Sequence, residues 1–234
     1  MNAALRLTTL VVAITAMTPA QSDIRPPERP EPPATAQDPI APTTETDQDF
    51  AACRLALSLL GASFRELDPV SDPDDPECGI ARPLQITEIL PGLQLDGAPV
   101  LRCDTARSLA LWAHHALRPS AAALPGAPRL TGLRVGPGYS CRARVGTGAT
   151  RPRISQHALG NAVDITGFTF DGREPIAVQP RQDSGNLDEA FQRSARATAC
   201  LFFSTVLGPG SNDAHDDHLH LDVMPRRGGW RLCQ

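Results

Sequence analysis

The spacing of hydrophobic residues predicts three helices in the chain. The first is expected at about residues 50–60, where apolar side chains recur at helical spacing before Gly61. The second is expected to begin at Asp104, as its cap, and to end before Pro119. The third is expected from Leu187 to Leu207, where a Gly-Pro pair stops it.

Apolar runs between and after these helices predict β-strands. They are expected at Leu130–Val135, Ala162–Phe170, Glu174–Val178 and His218–Met224. Asp171-Gly172 offers a tight turn between the second and the third of them. This mixture predicts an α+β domain in which helices flank a small antiparallel sheet.

The first 48 residues have a composition that separates them from this domain. Residues 1–20 combine a basic start, an apolar run of about ten residues and a small-residue end, which is typical of a secretory signal peptide. The run is shorter than the roughly 18 to 20 residues that span a bilayer, so no transmembrane segment is expected in the mature protein. Residues 21–48 hold seven prolines among polar residues and are predicted to be a disordered tether. The domain is therefore assigned to residues 49–234.

Net charge and cysteine usage narrow the class of protein. A formal net charge of -4 argues against the basic face that nucleic-acid binding requires, so no nucleic-acid partner is expected. The six cysteines contain no Cys-x-x-Cys pair, which favours three disulfides in an exported protein over a zinc finger or a thioredoxin-like site. Spacing alone leaves their pairing open. The expected location is the periplasm or the cell envelope.

Most of the chemically reactive side chains lie in two stretches, residues 155–164 and 215–222, which contain four of the six histidines. In the second stretch, alternation along a strand puts His218, His220 and Asp222 on one face. Two imidazoles so placed are about 7 Å apart, which suits one metal ligand and one group that serves the metal's water.

In the first stretch, His157 and Asp164 are separated by seven positions, with Gly160 between them. A chain reversal at Gly160 would bring an imidazole nitrogen and a carboxylate oxygen to one ion. Two histidines and one aspartate leave a fourth tetrahedral position open, which is the pattern of a catalytic zinc site. Such an ion lowers the pKa of water to roughly 7 and polarises a carbonyl group. Asp217 or His218 could then accept a proton from water and pass it to a leaving amine.

The motifs in these stretches resemble those of known zinc peptidases. Ser155–Asp164 matches S-x-H-x-x-G-x-A-x-D, and His218–His220 matches the later H-x-H, of the lysostaphin, D-Ala-D-Ala metallopeptidase and hedgehog group. The whole domain more closely resembles the bacterial extensin-like C-terminal domain family, with Tyr-x-Cys-Arg at Tyr139–Arg142 and Leu-Gly-Pro-Gly at Leu207–Gly210. The resemblance implies a fold like that of the hedgehog and D-Ala-D-Ala metallopeptidase domains.

The resemblance also implies a site for one zinc ion. Its ligands would be His157, Asp164 and His220. His218 would lie beside the metal without being a ligand. Asp217 stands where several of these peptidases carry a glutamate base, so the choice between Asp217 and His218 as general base stays open.

Three further residues are implied to act on the substrate. Arg142 would help to stabilise the oxyanion, and Ser155 and Tyr139 are candidate substrate-binding residues. Ser155 also has a plainer interpretation, in which it holds the loop through a backbone hydrogen bond. His215 matches no motif position and is expected to be an exposed loop residue. Asp222 is expected either to touch the metal or to pair with a strand neighbour or an arginine.

These observations predict an exported zinc metallopeptidase that hydrolyses amide bonds in peptidoglycan peptides, a substrate class that the resemblance alone implies. The alternative is a non-catalytic envelope protein whose zinc site is structural or ligand-binding. The run His218–Asp222 also fits the His-x-His-x-Asp of metallo-β-lactamase-like hydrolases, but Val223 stands where those proteins carry histidine. The sequence leaves open the bond cut (L,D or D,D), the mode of cleavage (endopeptidase or carboxypeptidase), the divalent metal and any activating partner.

Overall fold

The computed structural model describes residues 45–136, 138–146, 148–150, 152–181 and 183–234. The predicted signal peptide and residues 21–44 of the predicted tether lie outside the described residues. In the part that is described, no helix has both the length and the hydropathy needed to cross a bilayer.

The described residues form four α-helices, which are α1 (Asp47–Leu59), α2 (Cys103–Trp112), α3 (Arg118–Ala122) and α4 (Leu187–Ala199). The predicted first helix is confirmed by α1, which begins two positions before the expected start of the domain. The Oγ1 atom of Thr46 caps it by accepting a hydrogen bond from the amide of Asp49. A π-helical segment, Ala113–Leu117, joins α2 to α3.

The predicted bounds of the second helix are wrong at both ends. Arg102 occupies the N-cap position of α2, and Asp104 lies in the first turn, where its carboxylate is 2.8 Å from the guanidinium of Arg107. Pro119 does not end the helical run, because it falls in the first turn of α3. The chain keeps right-handed helical dihedral angles up to this proline, with φ and ψ of -66° and -46° at Leu117 and of -61° and -47° at Arg118.

The predicted end of the third helix is also wrong. The helix begins at Leu187 as expected but ends at Ala199, and Thr205–Leu207 form a strand. A short apolar run of this kind fits a buried strand as well as a buried helix, so its spacing could not distinguish them.

The strands in the described residues are β1 (Ser63–Glu66), β2 (Val70–Ser71), β3 (Gly79–Ile80), β4 (Leu84–Leu90), β5 (Leu93–Asp96), β6 (Val100–Leu101), β7 (Arg129–Val135), β8 (Ala162–Asp171), β9 (Ile176–Ala177), β10 (Thr205–Leu207), β11 (Leu219–Asp222) and β12 (Leu232–Cys233). The four predicted strands are confirmed by β7, β8, β9 and β11. The strands before β7 and the strand β12 were not predicted.

Ten of these strands form one sheet, with the order β1-β4-β5-β7-β8-β11-β10-β12, and with β6 paired to β4 and β9 to β8. The pairs β5–β7 and β10–β12 are parallel, and the other pairs are antiparallel. The fold is therefore α+β, as predicted. The expectation of a small antiparallel sheet is wrong, because residues 63–101 add four strands to it and two of its pairs are parallel.

The core is centred on Trp112, which is fully buried at the end of α2. Its ring meets those of Phe168 and Phe203 edge-on, at centroid distances of 6.5 and 6.2 Å. The indole N–H donates a hydrogen bond to Oγ1 of Thr198, at 3.2 Å. The side chain of Trp112 therefore connects α2 with α4 and with strand β8.

The prediction of three disulfides is confirmed, and the structure supplies their pairing. The bridges are Cys53–Cys103, Cys78–Cys141 and Cys200–Cys233. The first joins α1 to α2, and the third joins the end of α4 to β12. The second joins the turn before β3 to the segment between β7 and Ser155. Three such bridges fit an oxidising compartment.

We expect Trp112→Ala to lower the free energy of unfolding by about 3 to 5 kcal/mol, because it leaves a cavity in the core. The other tryptophan is a matched control, since Trp230 is 39% exposed. Trp230→Ala should cost no more than about 1 kcal/mol. Urea unfolding followed by far-ultraviolet circular dichroism measures both changes, and similar losses would contradict this account of the core.

Candidate metal centre

The pairing of β8 with β11 places Asp164 beside His220. The strands are antiparallel, and these two residues are Cα partners across the ladder. Directly opposed residues in a sheet share a face and have Cβ atoms about 5 Å apart. Their side chains meet as a result, with Oδ1 of Asp164 3.0 Å from Nδ1 of His220.

A tight turn before β8 brings His157 to the same point. Ser155 caps a short 3-10 segment, Gln156–Leu159, and its Oγ accepts a hydrogen bond from the amide of His157. Gly160 ends the segment in the left-handed conformation, with φ 64° and ψ 13°. A Cβ at this glycine would lie 2.5 Å from Cδ1 of Ile80. The predicted reversal at Gly160 is therefore confirmed, and both the backbone and its surroundings favour glycine there.

His157, Asp164 and His220 form a triangle of potential ligand atoms. Nε2 of His157 is 3.1 Å from Oδ1 of Asp164 and 3.2 Å from Nδ1 of His220. Ligand atoms 2.0–2.1 Å from a tetrahedral zinc ion lie about 3.3 Å from one another. The triangle has nearly the dimensions of one face of such a tetrahedron.

Two other groups in the described residues also place three potential ligand atoms within 4.8 Å of one another. Each contains both cysteines of a disulfide, Cys53–Cys103 or Cys78–Cys141. A cysteine binds a metal as its thiolate, which a disulfide does not offer. The His157, Asp164 and His220 group is therefore the one of these three that can hold an ion as it stands.

Both imidazoles are oriented by a hydrogen bond on the nitrogen that lies outside the triangle. Nδ1–H of His157 donates to the carbonyl oxygen of Gly138, at 3.0 Å. Nε2–H of His220 donates to Oδ2 of Asp222, at 3.4 Å. When the imidazoles are neutral, these contacts favour the tautomers in which the inner nitrogens offer lone pairs, as metal-binding histidines require. The residues present therefore fit a divalent cation.

Electrostatics at the triangle favour a cation. Burial alone would raise the pKa of Asp164, but hydrogen bonds with His157 and His220 outweigh it and hold that pKa well below its usual value. Burial alone would lower the pKa of His220, but hydrogen bonds with Asp164 and Asp222 raise it to about 9. The carboxylate is thus ionised at neutral pH, and a metal ion must compete with a proton for His220.

His218 and Asp217 form a hydrogen-bonded pair beside the triangle. Nδ1 of His218 is 2.7 Å from Oδ1 of Asp217, and its Nε2 is 3.7 Å from Oδ1 of Asp164. His218 is not in the group whose potential ligand atoms all lie within 4.8 Å of one another. The side chain of Asp217 is 90% exposed. Nε2 of His218 is therefore the atom of this pair that faces the triangle.

The three predicted substrate residues lie around the turn that carries His157. Arg142 is exposed, and its carbonyl oxygen accepts a hydrogen bond from the amide of Ser155. The hydroxyl of Ser155 accepts from the amide of His157, which is the plainer of its two interpretations. The hydroxyl of Tyr139 is buried without a hydrogen-bond partner among the described residues, and burial raises its pKa.

The expectation that His215 is exposed is wrong. It is 7% exposed, and its ring centroid lies 5.2 Å from that of His218 and 5.7 Å from that of His220. Burial, with repulsion from the other two histidines, lowers its pKa to about 4, so it is neutral at physiological pH. The sequence did contain a signal for this position. His215 stands three residues before His218, and a tight turn between them places both rings on the same side of the chain.

The fold and the geometry of these side chains define an α+β protein with a pre-oriented cluster of two histidines and one aspartate between two central strands. The chain matches the model of the family described as Extensin-like protein C-terminus over residues 51–234, and it belongs to that family. The matched range includes every residue of the candidate site. No curated protein and no solved structure matches the chain.

We expect Gly160→Ala to destabilise the protein more than Gly172→Ala. Both glycines have positive φ, of 64° and 82°, so each alanine carries the left-handed penalty of about 1 to 2 kcal/mol. A Cβ at Gly172 meets no atom within 4 Å, whereas one at Gly160 collides with Ile80. This crowding should cost a further 1 to 3 kcal/mol, approximately. Equal losses in urea unfolding would show that the close contact with Ile80 is unimportant.

Proposed function

We propose that this protein is an exported zinc metallopeptidase that hydrolyses amide bonds in the peptides of peptidoglycan. The observation that carries the proposal is the triangle of His157, Asp164 and His220, in which each imidazole is already oriented by a second hydrogen bond. The substrate class comes from the resemblance of the motifs to those of cell-wall peptidases. The three disulfides support export, because bridges of this kind persist in oxidising compartments.

The donor set supports one zinc ion. Two imidazole nitrogens and one carboxylate oxygen, with a fourth tetrahedral position for water or substrate, are typical of a catalytic rather than a structural zinc site. When bound, the ion would polarise a carbonyl oxygen and lower the pKa of a water molecule to about 7. His157, Asp164 and His220 would hold it through Nε2, Oδ1 and Nδ1, the atoms that form the triangle.

We assign proton transfer to His218 rather than to Asp217. The carboxylate of Asp217 accepts the hydrogen bond from Nδ1–H of His218, which leaves the lone pair on Nε2. That nitrogen faces the triangle, 3.7 Å from Asp164. A base so placed can take a proton from the attacking water and return it to the leaving amine. Asp217 would orient the ring, with an effect weakened by solvent.

Three residues complete the proposed site on the substrate side. Arg142 would stabilise the negative charge that develops on the carbonyl oxygen, because its exposed guanidinium carries a permanent charge. Tyr139 and Ser155 remain candidates for contacts with the peptide. The hydroxyl of Ser155 already accepts the amide of His157, so its first effect is on the turn.

The proposed zinc site is tested by removing the side chains that would bind the ion. We expect the dialysed parent protein to retain about one zinc ion per chain, and His157→Ala and Asp164→Ala to lose both the ion and hydrolysis of purified cell-wall peptides. His114→Ala is a matched control, because His114 is an exposed helical histidine. Elemental analysis measures the zinc. If both ligand variants stay as active as the parent, the proposed mechanism is wrong.

A variant of His218 distinguishes a catalytic metal site from a structural one. We expect His218→Ala to keep its zinc and its unfolding transition but to lose turnover by about 100- to 10,000-fold, the usual contribution of a general base. Asp217→Asn should lose less, since it keeps the imidazole. Mass spectrometry of the muropeptide products measures turnover and identifies the bond cut. A parent protein that binds zinc and leaves the muropeptides unchanged would instead be the non-catalytic envelope protein.

A further inference from the structure

Asp222 is a buried carboxylate that takes no part in the proposed chemistry. It is 4% exposed and follows the proposed ligand His220 by two positions on β11. Its Oδ1 accepts hydrogen bonds from the amide of Met224, at 3.0 Å, and from Oγ of Ser204, at 3.2 Å. Its Oδ2 accepts from Nε2–H of His220, at 3.4 Å. The two oxygens therefore have different partners.

The position of this carboxylate is set by the sheet. Asp222 is the Cα partner of Ala162 on β8 and of Thr205 on β10, so its backbone is paired on both sides. Its carbonyl oxygen accepts from the amide of Ser204, at 2.8 Å. The carboxylate would therefore stay in place even if His220 turned, and it can act as a fixed point for that ring.

Two arginines lie near the buried carboxylate. Burial lowers the pKa values of Arg144 and Arg226, and the negative charge of Asp222 opposes this effect in both guanidinium groups. Arg144 is held by the carbonyl oxygen of Ile154, and Arg226 by Oγ1 of Thr205. Such compensation is what a buried carboxylate requires.

An ionised carboxylate only accepts hydrogen bonds, so its partner nitrogen must carry a proton. On His220 this proton is on Nε2, so when the ion is bound the other nitrogen, Nδ1, is the one that can offer it a lone pair, and Nδ1 faces Asp164 and His157. In His157 the roles of the two nitrogens are reversed. Its Nδ1–H donates to the carbonyl oxygen of Gly138, so Nε2 is the nitrogen that faces the triangle. Two independent acceptors thus select the two inner nitrogens.

We propose that Asp222 is a positioning residue, which fixes the tautomer and the ring orientation of His220 so that Nδ1 is the ligand atom. This inference rests on the proposed metal site. An outer carboxylate on a metal-bound histidine typically contributes about 10- to 100-fold to metal affinity. Asp222 touches neither the ion nor the substrate in this arrangement.

The test is Asp222→Asn, with zinc affinity measured by competition with a chromophoric chelator. The asparagine Oδ1 can still accept from Ser204 and Met224, but its amide N–H would face the N–H of His220. We expect zinc affinity to fall by about 10- to 100-fold. Ser204→Ala is the matched control, because it removes one hydrogen bond from the same carboxylate without touching His220. Its affinity should stay within about threefold of the parent value.

A second measurement needs no variant. In the zinc-loaded parent with ¹⁵N-labelled histidine, the NMR spectrum should show the His220 proton on Nε2, and a proton on Nδ1 would overturn the inference. Asp222→Asn with the zinc affinity of the parent would overturn it as well, while the metal site itself would stand. A parent that binds no zinc would overturn the proposed function and this inference together.

Discussion

The candidate site depends on one constraint, the register between β8 and β11. His220 lies opposite Asp164, while the neighbouring pairs Leu219–Ile165 and Leu221–Val163 consist of fully buried apolar residues. Because side chains alternate across a strand, a slip of one residue would turn His220 into the core and Leu219 or Leu221 into the site. The hydrophobic core therefore holds the polar triangle in place, and the free energy of apolar burial maintains the geometry of the proposed ligands.

The turn that carries His157 and the carbonyl group that orients its ring are both attached to this pair of strands. The turn that ends at Gly160 leads directly into β8 and carries His157. The carbonyl oxygen that orients His157 belongs to Gly138, three positions before a cysteine that is bridged to Cys78. Central strands, one tight turn and one disulfide thus supply the rigidity that a metal site needs from its surroundings.

Much of this arrangement was predictable from local patterns. Alternation along residues 218–224 put His220 and Asp222 on one face, and the contact between their side chains confirms it. The strands β2, β3 and β6 were missed because each has only two residues, too few to show a period. The segment Thr205–Leu207 was assigned to a helix for a related reason, since a short apolar run fits either structure. His215 was misjudged because its burial comes from neighbours in space.

The sequence by itself determined which side chains share a face, where the chain must reverse and that the cysteines would pair. These properties depend on residues within about ten positions of one another, or on composition. Only the tertiary structure decided which cysteines join, that the sheet is mixed, and which nitrogen of each histidine faces Asp164. The physical reason is that these outcomes are set by contacts between distant parts of the chain, such as His220 with Asp164 across 56 positions.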